Sequence, residues 1–155
     1  DTKEFAEELI EAMWKNSGLG LSANQLGYNY RVFVMRGETK KDSIVCFNPE
    51  IKDFSPEMNI MEEGCLSLPD VYGKVVRPAH VAISYQNKDA KEEGQLASGL
   101  TGRVFQHELD HLDGILFVDR LGELSRERAF EKARKIKKFR ARGKEKYQIQ
   151  TKFAL

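Results

Sequence analysis

The 155 residues suffice for one domain with a buried core and are too few for two ordinary ones. A net charge of +1 excludes a uniformly basic nucleic-acid binder, and two cysteines are too few for a disulfide framework, which points to a reducing compartment. The charge is uneven: residues 126–146 hold eleven Lys/Arg against three Asp/Glu, so this segment is +8 and the remainder −7. No apolar run approaches the roughly 20 residues of a membrane span. Nor do the first residues, Asp-Thr-Lys-Glu-Phe, have the order of a signal peptide. A cytoplasmic monomer with no membrane contact is expected.

In chain order, Phe5, Leu9 and Met13 recur every four residues, with Ala6 and Ile10 beside them and Gly18 closing the segment. This predicts an amphipathic first helix. Residues 18–27, Gly-Leu-Gly-Leu-Ser-Ala-Asn-Gln-Leu-Gly, are small enough for a backbone to pass close to another group, and read as a loop or irregular edge. Residues 31–36 and 43–47 are rich in Val, Ile and Phe and predict two strands about a polar turn, the second ended by Asn48-Pro49. Over 51–62 the alternation is weak and Pro56 interrupts it, giving at most an edge or bulged strand. Glu63-Gly64-Cys65-Leu66-Ser67-Leu68-Pro69 is different in kind, a glycine and cysteine leading a short apolar alternation stopped by proline. Val75-Val76, residues 80–85 and Gln95-Leu96-Ala97 read as further strands, with a charged turn over 87–94.

A helix follows, capped at Thr101 and ended near Gly114. It carries Gln106-His107-Glu108-Leu109-Asp110-His111, so both imidazoles lie on one face, one turn apart, where they can share a metal ion with Glu108 as general base. From Ser125 to Gly143, Glu, Arg, Ala and Lys predict a basic helix, with a partial apolar stripe at Ala129, Ala133, Ile136 and Phe139. The fold class is therefore α+β: small mixed or antiparallel strands around a central His-Glu-x-x-His helix, with an N-terminal helix and a basic C-terminal one.

Two histidines leave a catalytic metal short of its usual third protein ligand. His80, beside Pro78, reads as an ordinary surface or core residue, and Cys46, in an apolar strand, as a small core hydrophobe. Cys65 is the better candidate. The bland alternative, a chance His-Glu-x-x-His on a helix, is weakened because a Gly-Leu-Gly loop and a Gly-Cys strand occur in the same small chain.

These three stretches, Gly18-Leu19-Gly20-Leu21-Ser22-Ala23-Asn24-Gln25, Glu63-Gly64-Cys65-Leu66-Ser67 and Gln106-His107-Glu108-Leu109-Asp110-His111, resemble the three signature motifs of the peptide deformylases, in the family's order. The resemblance implies that Cys65, His107 and His111 bind one divalent metal ion, that Glu108 is the acid/base, and that Gln25 and the Leu66 N–H stabilise an oxyanion. It implies Fe²⁺ in the cell, with Zn²⁺ or Ni²⁺ as stable surrogates in purified protein. A thiolate and two neutral imidazoles suit any of these by geometry. The substrate class implied is the N-formylmethionyl end of nascent polypeptides, with formate released. An unbranched thioether asks for an apolar pocket, for which Leu19, Leu100 and Val104 are candidate walls. Gly20 and Gly64 are candidates for pairing with an extended peptide, the bland reading of each being a turn glycine.

On this reading residues 1–124 form the catalytic domain, and 125–155 a basic helix and tail, either part of the same unit or appended to it. The basic helix is either a solvated face docked on the body or a contact to ribosomal RNA. Glu63 and Arg77 resemble a family ion pair, and Asp110 either holds a ligand histidine or lies on the helix surface. Family members carry a further stretch before the first helix, so the edge strand it supplies is not expected from these residues. Ser22 stands where the family more often has alanine. The compartment implied is a bacterial-type translation compartment, cytoplasmic or organellar. Two rivals remain: a zincin-like metallopeptidase taking its third ligand from Glu127 or Glu131, and a ribosome-binding module with a structural metal.

Overall fold

A computed structural model describes residues 1–142, so the tail from Gly143 onward lies outside the described residues. Asp1 caps helix α1 (Thr2–Lys15) by accepting from the Lys3 N–H, and the four-residue spacing turns Ala6, Leu9 and Met13 inward. Their buried face packs on strands β1 (Gly20–Ser22) and β2 (Val32–Met35), with Leu21, Val32, Val34 and Val45. The small-residue stretch is thus a three-residue edge strand, continued by a short 3-10 turn over Ala23–Leu26.

Five strands form one antiparallel sheet in the order β1-β2-β3-β6-β7, where β3 is Ile44–Phe54, β6 His80–Gln86 and β7 Glu92–Ser98. Strands β4 (Met58–Cys65) and β5 (Leu68–Pro78) make a separate antiparallel hairpin. Helix α2 (Gly99–Leu112) packs against β1, β2, β6 and β7. Phe105 from α2 meets Phe33 edge-on at 5.0 Å, both fully buried. Truncating such a ring to alanine typically costs about 3–5 kcal/mol. The other side of the helix faces the hairpin, closed by Phe117 and Val118 of a short 3-10 turn and by helix α3 (Glu123–Ala141), whose Ala129 is buried among them. Polar residues of α2 are therefore enclosed on both sides, which makes the helix interior to the fold.

The α+β architecture agrees with the sequence reading, but three boundaries differ. Asn48-Pro49 does not end a strand: β3 pairs β2 through Phe47 and β6 from there to Phe54, with a register shift between Phe47 and Glu50 and Asn48 at φ +48. A bulge absorbs the missing proline N–H while the strand changes partners. Thr101 is not the cap of α2, which begins at Gly99 after the extended Ser98. Pro69 does not stop its strand, because β5 starts at Leu68 and continues to Pro78. Gly114, at φ +75, lies just past the end of α2 as expected.

Candidate active site

His107 and His111 project from one face of α2 with ring centroids 4.8 Å apart. Cys65 ends β4, where the hairpin register slips after Gly64, and this places its Sγ 3.1 Å from His111 Nε2. His111 Nε2 lies 3.1 Å from His107 Nε2. The three ligand atoms are within 4.8 Å of one another and all three residues are buried. This is the expected trio, brought together from two elements more than forty residues apart.

The surroundings fit a metal ion. Glu63 Oε1 lies 2.7 Å from His107 Nδ1, which fixes the tautomer with the proton on Nδ1 and leaves Nε2 as an electron-pair donor. Burial pushes His111 down to about 4, reinforced by His107, so its ring is neutral near pH 7. Burial also pushes the Cys65 thiol up to about 11, against hydrogen bonds from Ser67 and Leu68 that pull it down. A cation between the three would favour the thiolate, and a soft sulfur with two imidazoles suits a late divalent metal.

Glu63 anchors a buried charge network. It accepts from Arg77 Nε at 2.7 Å and Nη2 at 3.0 Å, and from Arg103 Nη1 at 2.8 Å. Burial alone would raise its carboxyl, but the hydrogen bonds from His107 and Arg77 outweigh it and hold the group at about 2. Arg103, one turn before His107 on α2, also donates to the Val75 carbonyl and to Asn59. Asp110 accepts from Arg77 at 2.7 Å and from Arg120 Nη2 at 2.7 Å. It is buried rather than on the helix surface, and the groups it accepts from are arginines; the carboxylate on His107 is Glu63.

Glu108 is fully buried, and neither of its carboxylate oxygens has a hydrogen-bond partner among the described residues. An orphaned carboxylate of this kind is costly and needs a reason. Burial, then the Glu63 charge, push it well above the usual carboxylate range. Gly20 explains part of the enclosure: a Cβ there would meet Glu108 Oε1 at 2.7 Å and Val104 Cγ1 at 2.9 Å, so β1 can approach only as glycine. Gln25 turns its Nε2 toward Cys65 Sγ, 3.6 Å away, and Ser67 Oγ, 3.0 Å away. Leu66 follows Cys65 directly, its side chain against Gly18.

Leu19, Leu100 and Val104 converge on a cavity of about 70 Å³ beside the helix, joined by Met35, Arg36, Ile44 and Thr101. The four added residues lie on β2, at its end, at the start of β3 and in the first turn of α2, and only the sheet order brings them together. For Gly64 the structure supplies a packing reason, since a Cβ would fall 2.4 Å from the Tyr72 ring. Cys46 is fully buried in the core, and His80 is exposed, its Nε2 3.6 Å from Glu57. Arg103 and Asn59 were not anticipated. A cation four residues ahead of His107, hence on the same helix face, was the available signal for the first. Glu127 and Glu131 are exposed on α3, and among the described residues the cluster able to hold a metal contains Cys65 instead.

Among the described residues no helix is long and apolar enough to cross a membrane. The family pattern described as polypeptide deformylase matches residues 1–127. A peptide deformylase of Bartonella tribocorum is 38% identical over 149 residues, spanning 93% of this chain and 80% of that protein. One from Rhodopseudomonas palustris is 43% identical over 143 residues, spanning 87% and 82%. The crystal structure of a Legionella pneumophila peptide deformylase superposes with a TM-score of 0.82 at 36% identity, covering 91% of this chain and 83% of that one. The chain belongs to the polypeptide deformylase family.

Proposed function

We propose that the buried cluster of Cys65, His107, His111 and Glu108 carries out the family's reaction, hydrolytic removal of the formyl group from the N-terminal methionine of a polypeptide with release of formate. The observation that carries this reading is the orphaned, fully buried Glu108 carboxylate beside three convergent metal-ligating atoms. When bound by Cys65, His107 and His111, a divalent ion supplies Lewis acidity, drawing the pKa of water from about 15.7 toward neutrality. Fe²⁺ is the ion proposed for the cell, with Zn²⁺ or Ni²⁺ in purified protein.

The chain's own groups then account for the steps. Glu108, with no competing partner among the described residues, takes a proton from the attacking water, and the hydroxide adds to the formyl carbon. Negative charge builds on the formyl oxygen, where the Gln25 amide and the Leu66 N–H are proposed to meet it. One such donor is worth about 3–4 kcal/mol of barrier. Glu108 returns the proton to the departing amine, leaving formate and a free N-terminus. The cavity walled by Leu19, Leu100 and Val104 is proposed to take the methionine side chain, and the β1 edge at Gly20 to pair with the substrate backbone.

The test is formate release from a formyl-Met peptide by anaerobically iron-loaded protein, beside Glu108→Ala. No release by the wild type overturns the reading. For α3, whose Lys132, Lys135 and Lys138 are all exposed, the proposed partner is ribosomal RNA in the cytoplasm or an organelle. Ribosome association that survives high salt, or deletion of residues 126–155, contradicts that contact.

A further inference from the structure

We infer that Ser22 is the positioning residue of the Gln25 amide; this rests on the reading that Gln25 meets the oxyanion. Gln25 is only partly buried and has three side-chain torsions, so nothing intrinsic aims its Nε2 at the reacting groups. Its other end is held twice. Gln25 Oε1 accepts from the Ser22 backbone N–H at 2.8 Å and from the Ser22 hydroxyl at 2.9 Å, and Ser22 is completely buried. The backbone N–H can only donate, so it identifies that atom as the oxygen, and with the hydroxyl as second donor both of its lone pairs are used. The NH₂ end must then point the other way, toward Cys65 Sγ and Ser67 Oγ.

The two tethers do different work. The backbone N–H excludes the flipped amide, because a flip would set NH₂ against N–H. The hydroxyl adds a second hydrogen bond to the same oxygen and restricts the remaining torsional freedom. A donor fixed before the reaction needs no reorganisation as charge develops, and its aim is therefore worth rate rather than substrate affinity. Alanine at this position would keep the first tether and lose the second. A purely local explanation exists: Gln25 is the third residue of the 3-10 turn, and its reach back to Ser22 is half of a capping box. In that case the Ser22 hydroxyl acts only on the turn, and its removal costs the same whether or not the Gln25 amide is present.

A double-mutant cycle separates the two in zinc-loaded protein of matched metal content. Ser22→Ala is expected to lower kcat about three- to tenfold, the worth of one neutral hydrogen bond, with KM unchanged. Gln25→Ala is expected to cost about 10²–10³ in kcat. In the Gln25→Ala background, Ser22→Ala is expected to cost nothing more. Independently of turnover, the ¹⁵N-labelled Gln25 side-chain NH₂ pair should shift toward random-coil positions and exchange faster in Ser22→Ala. An equal loss in both backgrounds, a rise in KM at constant kcat, or an unmoved NH₂ pair overturns the proposal alone. A harmless Gln25→Ala overturns the oxyanion reading and this proposal with it.

Discussion

Glu63 is the sharpest structural test of how the site is held. It is fully buried and receives four hydrogen bonds, two from Arg77, one from Arg103 and one from His107. Glu63→Gln keeps the shape but turns one acceptor into a donor facing a guanidinium, and leaves two buried cations without their shared anion. Removing one partner of a buried ion pair costs about 3–5 kcal/mol, a large share of the roughly 5–15 kcal/mol that holds a typical domain. For a chain of this size the melting temperature should fall by about 6–20 °C. The wild-type carboxyl, held at about 2 rather than 4.5, gives a consistent figure: about 3 kcal/mol, present above pH 4.5 and lost as pH falls toward 2. Calorimetry checks the first effect, and chelator competition a second, since losing the group that orients His107 should weaken metal binding about 10- to 100-fold. A melting point within 2 °C of wild type (about 1 kcal/mol or less), together with unchanged metal affinity, would refute the reasoning.

Other outcomes follow from the same geometry. Cys65→Ala should abolish metal retention, measured by elemental analysis after desalting; full retention with peptidase activity would favour a zincin-like site. Gly20→Ala pushes a methyl into Glu108 and Val104, and should lower both kcat and thermal stability, read by paired kinetics and melting. Burial, aided by the charges of Cys46 and Glu93, raises the Tyr85 phenol to about 12 from 10.0. Its contribution is complete below pH 10 and is lost as pH rises toward 12, by about 2–3 kcal/mol, so urea midpoints should fall across that window and Tyr85→Phe should flatten the fall.

The candidate site was more legible in the sequence than the scaffold. His107, Glu108 and His111 are fixed by helical periodicity, and Cys65 stood out because a glycine precedes it in a strand that proline was expected to cut short. What stayed hidden depends on tertiary placement. Asn48-Pro49 reads as a strand end by local propensity, yet the sheet overrides it by bulging as β3 passes from β2 to β6. Arg103 looks like a surface cation until the hairpin covers α2 and supplies Glu63 and Asn59. Asp110 could be read two ways because one of the two arginines that meet it, Arg77, comes from β5. Gly64 needed Tyr72, its cross-strand neighbour, to explain it.

Glu108 is proposed to move the proton in formyl hydrolysis. Glu108→Gln preserves its volume and leaves Cys65, His107 and His111 in place, so metal content should match wild type. Formate release from a formyl-Met peptide, measured side by side at equal metal loading, should then fall about 10²–10⁴-fold. Equal turnover by the two proteins would contradict that role.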